Sequence, residues 1–395
     1  MILVLATIVW VLFFCRPERS DSAAEGISTG RSSLRFAAAS VEMTGGGVLL
    51  FLVLSSFTAS WGNIFALRAI GFWWFSVLLF AGFVWSLVKM KVQKKDVMWM
   101  FFWSLIPHAL LGIWQYADQF VFGSKWLGMA TQDPRALGVS VVEHGEFRLL
   151  RAYGGFPHPN IFGGWLAIGL LNVLTLSREV VKKYQALILV FGSVLMSIAF
   201  ILSYSRSAWI AFGIGLVMYL GRNFWKKQAL IQFFWVVLCA IVLSGAIVSG
   251  SQWSHIASRF QTEARLEQKS VSERVTNLKD AGQLFLRRPW FGYGPNAEML
   301  GLVTTEKAEA PLQPPHTVFV LFVLDFGLIG ALVFLWIMVR SRRRFSDTEI
   351  LIWFTVCAAL GLFDHYLWSH WAGRCLFMLV CLFCFLPRTQ MPEED

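Results

Sequence analysis

The sequence predicts an all-α integral membrane protein with about eleven membrane-crossing helices, in a range of about ten to twelve. Apolar stretches of near-spanning length recur along almost the whole chain. Only 15% of the residues are charged against 56% hydrophobic, too few charges to solvate the surface of a globular protein of 395 residues. Lys and Arg gather in short knots between the apolar stretches, the pattern that marks cytoplasmic loops. Residues 1–395 are therefore expected to form a single polytopic membrane domain.

Hydropathy places spans near Ile2–Cys15, Gly47–Trp61, Ala69–Val88, Val97–Tyr116, Ile161–Leu176, Gln185–Leu202, Ala208–Leu220 and Ala229–Val248. Three more follow near Thr317–Val339, Ile350–Phe363 and Trp371–Leu386. The first resembles a signal-peptide core, but no basic residue precedes it and no small-residue cleavage pattern follows, so it is read as a membrane helix. Arg16–Gly46 lacks apolar periodicity and reads as a connection. The 19 Trp fit this environment, because those near span ends match the preference of indole for the headgroup region.

A pI near 9.5 would also suit a nucleic-acid binder, but the basic residues lie at Lys89–Lys95, Arg178–Lys183, Arg222–Lys227 and Arg340–Arg344, between helices. Their excess is topological. Placing these knots inside puts two long loops, residues 117–160 and 249–316, on the outer face. In the second loop Ser270 and Glu273 form a capping box, and Val275, Leu278, Ala281 and Phe285 follow at helical spacing. A short amphipathic helix is expected there, ending near Arg288 ahead of Pro289, with a tight turn over Gly292-Tyr293-Gly294-Pro295-Asn296. All six Cys lie in apolar segments, and Cys381-x-x-Cys384 has no partner ligands beside it, so packing is expected rather than a disulfide or metal.

Arg206, within Ser203-Tyr204-Ser205-Arg206-Ser207, holds a guanidinium among hydroxyls at the outer junction of two apolar helices, as in a pocket for an anion. Arg274 falls in the first turn of the expected loop helix, where free amides already favour an anion, although a solvated loop arginine would read alike. His316 follows Pro314-Pro315 and directly precedes a span, a position suited to a general base acting on a lipid-linked substrate. His158, framed by Pro157 and Pro159, begins another span in the same way. No zinc spacing, nucleophile elbow, phosphate-binding glycine loop or paired aspartates for a metal-bound sugar nucleotide is present, so neither metal nor cofactor is expected and an enzyme here needs an activated donor.

Four stretches together resemble the O-antigen ligase and Wzy-type polymerase family of polytopic glycosyltransferases. They are Arg151-Ala152-Tyr153-Gly154-Gly155-Phe156-Pro157-His158-Pro159-Asn160; Ser203–Ser207; Glu273-Arg274 with Pro289-Trp290-Phe291-Gly292-Tyr293-Gly294-Pro295-Asn296; and Pro315-His316 running into Asp325-Phe326-Gly327-Leu328-Ile329-Gly330. The chain departs from the family pattern with Thr317 after the histidine, where Asn is common, and with Gly154-Gly155-Phe156 in place of a Gly-Thr-Phe type stretch.

The resemblance implies transfer of a glycan from polyprenyl diphosphate to a lipid or glycan hydroxyl at the outer face of a bacterial inner membrane, with inversion and without metal. Arg206 and Arg274 would hold the diphosphate and His316 would take the acceptor proton. Arg151, His158, Asn160, Ser205, Ser207 and Asn296 would line the substrate. A polymerase of lipid-linked repeat units shares these motifs. A solute transporter is a different class, but it needs coupling carboxylates near mid-membrane, and the spans hold few acids besides Asp325, with Asp364 at an outer end. A structural partner in a glycan-assembly complex would tolerate loss of Arg206 or His316.

Overall fold

The computed structural model describes residues 53, 56, 57, 63–144, 147–178, 182–225, 232–258, 265–298, 314–341, 348–383 and 386. The first expected span, most of the second, the Arg16–Gly46 connection and the C-terminal tail lie outside the described residues. In chain order the elements are α1 (Ile64–Lys89), α2 (Lys94–Asp118), β1 (Val141–His144), β2 (Phe147–Leu150), α3 (Pro159–Ser177), α4 (Lys183–Leu202) and α5 (Arg206–Trp225). They continue with α6 (Gln232–Ser251), α7 (Trp253–Ser258), α8 (Arg265–Arg287), α9 (Val318–Ser341), α10 (Thr348–Phe363), α11 (Tyr366–Ser369) and α12 (Trp371–Phe383). Each of the nine later expected spans coincides with a helix, from α1 to α12. Six of these helices, α1, α2, α3, α4, α6 and α9, are long and apolar enough to cross a membrane, and the described parts of α10 and α12 are shorter apolar helices.

The helices expose apolar side chains as a lipid-solvated bundle must. Phe72, Leu187 and Ile247 are each at least 70% exposed on α1, α4 and α6. The least exposed helix is α3, buried along nearly its whole length. Its glycines let neighbours approach: a Cβ on Gly163 would stand 2.8 Å from the Ser205 Cβ, and one on Gly164 would run into the Tyr366 hydroxyl. This close packing draws the α4–α5 turn and the α10–α11 turn onto the start of α3.

Two features of the long loops differ from the sequence expectation. The first loop carries an antiparallel hairpin, with Val141 opposite Leu150 and His144 opposite Phe147. The loop helix α8 is already formed at Arg265, so Ser270 sits inside it rather than at its cap and Arg274 lies in its third turn, not its first. Leu266, Glu267, Gln268 and Lys269 are strong helix formers and carry the helix upstream of the serine. The inward face agrees with expectation at Ala281 and Phe285 and departs from it upstream. Ala281 and Leu284 pack on Tyr293 and Leu324, whereas Val275 and Leu278 are exposed. Arg274 and Asn277, on the same side as Ala281, are half-buried.

The helix ends at Arg287 as expected, and the turn that follows docks onto a break in α9. Gly327 has φ 65 and ψ −170, backbone angles open only to glycine. The groups freed by the break pair with the loop in both directions. Tyr293 and Gly294 N–H donate to the Leu324 and Asp325 carbonyls at 2.9 Å, and Leu328 and Ile329 N–H donate to the Pro289 and Trp290 carbonyls at 2.8 and 3.2 Å. A broken helix at membrane depth persists only with such replacement partners. Gly327→Ala is expected to lower stability by about 1–3 kcal/mol or more, read as a fall in the unfolding midpoint in detergent. Gly213→Ala, on α5 with open space around it, is expected to leave the midpoint unchanged or raise it.

Candidate functional site

One carboxylate ties the separated motifs together. Asp364, at the α10–α11 turn and only 6% exposed, accepts from the Ser207 hydroxyl at 2.6 Å and from the Asn160 amide at 3.2 and 3.3 Å. The Arg151 guanidinium donates to Asn160 Oδ1 at 2.5 Å and to the Ser203 carbonyl at 2.8 Å. The Ser205 and Ser207 hydroxyls stand 3.3 Å apart. Arg206 opens α5 between them, with the Trp209 N–H bonded to the Ser205 carbonyl at 3.0 Å. The N-terminal end of α5, with its free amides and positive dipole end, therefore lies beside Asp364.

His316 and Arg274 stand within electrostatic reach of Asp364 and of each other. Burial of the His316 imidazole pushes it below the usual histidine value of 6.5, and the Arg274 charge adds to this, while Asp364 and Glu273 oppose it. The outcome is a neutral imidazole at neutral pH, the form a general base needs. Burial also pushes the Asp364 carboxyl up, and hydrogen bonds from Ser207 and Asn160 and the charges of Arg274 and His316 pull it back. The His365 ring packs 5.5 Å from that of His316 and is bonded through Nδ1 to the Ser369 hydroxyl at 2.5 Å. Burial drives His365 down to about 4, so it stays neutral beside His316. Among the described residues, Arg274 Nε, Asn277 Nδ2 and His316 Nδ1 are buried without a hydrogen-bond partner. Polar atoms in that condition are uncommon in native folds and call for a partner such as water or a polar ligand.

The sequence-derived residues divide into three groups. Arg151, Asn160 and Ser207 join Asp364 in one hydrogen-bonded knot with Ser205 at its edge, and Arg274 and His316 meet at the same carboxylate. His158 serves the scaffold: it caps α3 by accepting the Asn160 N–H at 3.1 Å and bonds the Ser140 hydroxyl at 2.9 Å. Asn296, in a left-handed turn with φ 61, belongs to the junction with α9, where its N–H bonds Asp325. Asp364, His365 and Asn277 were missed as site residues. The signals were present: Asp364 is an acid at a span end, followed directly by His365, and Asn277 is one turn beyond Arg274.

The Gly154-Gly155 departure also has a local cause. Gly155 has φ +82, and a Cβ there would stand 2.9 Å from Nδ1 of His108, whose ring bonds the Gly154 carbonyl. Among the described residues no group of three or more His, Cys, Asp and Glu side chains is arranged to hold a metal ion.

The helices described above make this an integral membrane protein. Residues 191–335 match the family model described as O-Antigen ligase. A search of curated proteins finds no match. The matched stretch contains three of the four motif groups, including Arg206, Arg274 and His316, and supports a membrane glycosyltransferase-like function. Over residues 191–335 this chain is similar to the O-antigen ligase family, the family its motifs resemble.

Proposed function

We propose that the protein transfers a glycan from a polyprenyl-diphosphate carrier to an acceptor hydroxyl at the outer face of a bacterial inner membrane, using about eleven spans and the two long loops, 117–160 and 249–316, on that face. The observation that carries this reading is the meeting of a neutral, half-buried His316 with the Arg274 guanidinium, whose Nε has no partner among the described residues, beside the hydroxyl-lined start of α5. His316 takes the proton of the acceptor hydroxyl as that oxygen attacks the anomeric carbon. The glycosidic C–O bond to the diphosphate breaks on the opposite face, which inverts the configuration. Arg274 and Arg206 stabilise the charge gathering on the departing diphosphate, assisted by the N-terminus of α5. Asp364 holds Ser207 and Asn160 in place and balances the Arg274 charge.

The test is incubation of purified protein in detergent, with EDTA, with a polyprenyl-diphosphate-linked oligosaccharide and candidate acceptors. A product heavier than the acceptor by one whole glycan supports ligation, whereas a ladder of repeat units supports the polymerase. Donor that stays intact with every acceptor defeats the transferase reading and makes solute uptake the next assay.

The pH dependence follows from the same geometry. Activity is expected to fall on acidification as His316 takes up a proton, with a midpoint below the ordinary histidine value of 6.5. Asp364 raises the His316 pKa, so Asp364→Asn is expected to move that midpoint to still lower pH. Profiles of kcat/KM against pH for the two proteins check the direction of the shift.

A further inference from the structure

Two carboxyl groups that the proposed chemistry does not use are buried against one another. Glu298, in the segment that follows α8, is 2% exposed and Asp325, just before the α9 break, is 0% exposed. Their side chains lie within hydrogen-bond reach. Asp325 Oδ2 accepts from the Trp368 indole at 2.6 Å, and the Asn296 N–H also reaches Asp325. One oxygen of each carboxyl, Glu298 Oε2 and Asp325 Oδ1, meets no donor among the described residues. The charged and titratable groups facing the pair among those residues are the two carboxyls themselves, with the Trp368 indole and the Asn296 and Glu298 backbone as polar neighbours.

Two bare carboxylates in this position would repel in a medium that screens them poorly, while a proton between them turns repulsion into a charge-assisted hydrogen bond. The remaining single negative charge then has the indole and backbone donors around it. The pair also sits where the site-bearing segments meet. Glu298 lies in the segment that leaves the Arg274 helix, Asp325 is on the helix that His316 leads into, and Trp368 follows the turn that carries Asp364 and His365.

We propose that Glu298 and Asp325 share one proton, and that this proton clamps the Arg274, His316 and Asp364 segments in their working positions. Both are positioning residues, and their effect on transfer rests on the function proposed above. Burial pushes the Glu298 carboxyl above the usual carboxylate range, in the same direction. Loss of the proton at alkaline pH drives the loop off the helix break and removes activity on that side of the pH profile. Glu298→Gln supplies an N–H donor that does not titrate, so the clamp survives and the alkaline loss disappears.

The test is infrared spectroscopy of the full-length protein in detergent, reading the C=O stretch of protonated carboxyl groups at neutral pH in the parent, Glu298→Gln and Asp325→Asn. The expected result is a band in the parent that is missing from each variant. Because a shared proton is lost with either partner, one folded variant suffices for the assignment. A parent without the band, or a band unchanged in a folded variant, overturns the shared proton. In the companion activity profile, a flattened alkaline limb in Glu298→Gln supports the clamp, and a limb identical to the parent's overturns it. The spectra need no donor or acceptor, so an intact band with no transfer defeats the transferase reading and leaves the proton pair standing.

Discussion

His316→Ala is expected to lower glycan transfer by about 10²–10⁴-fold, the range over which a positioned general base contributes. The imidazole stands at the head of α9, half-buried and neutral, with Nδ1 unpartnered among the described residues and the neutral His365 ring against it. The loss should fall on kcat, with donor affinity close to the parent's, because the base acts on the acceptor and not on the diphosphate. Steady-state kinetics together with equilibrium donor binding separate the two. A variant that transfers at the parent rate removes His316 from the mechanism.

Arg274→Ala is expected to cost about 10²–10³-fold in transfer, comparable with removal of one preorganised donor to a developing anion, and to weaken donor binding as well. Its guanidinium lies on the inward side of α8 with Nε buried and unpartnered among the described residues. Removing it also relieves one of the influences that depress His316, so residual activity should show its acid limb at higher pH than the parent. Arg274→Lys keeps the charge but not the planar fork and should recover only part of the loss. Arg206→Ala is expected to act in the same direction.

Most of the helical layout was legible because lipid leaves a plain record. Long apolar runs bounded by Lys, Arg and Trp allow little other than spanning helices, and α1 through α6, α9, α10 and α12 fall where hydropathy puts them. The first-loop hairpin was less visible. Its strands have four residues each, and the cue was only the two-residue Gly145-Glu146 connection between them. The upstream half of the α8 face was misplaced for a related reason. Val275 and Leu278 share the period of Ala281 and Phe285, yet what decides the inward side is Tyr293 and Leu324, which come from later in the chain.

The candidate site was proposed from residue types that are expensive at a membrane boundary, such as Arg206 and His316. Asp364 was passed over because its role lies in three long-range bonds, to Ser207 and Asn160, which no local pattern contains. The Glu298–Asp325 pair was hidden in the same way, with its two acids separated in sequence and brought together only when the loop closes on Gly327.

The most direct test of the account follows both products of a single turnover by the purified protein with EDTA present: free polyprenyl diphosphate and glycosylated acceptor. The expected result is that they appear in equal amounts and at equal rates, that the new linkage has the inverted configuration, and that His316→Ala slows both together. Carrier released without acceptor product, or glycosylated acceptor formed with retained configuration, would contradict it.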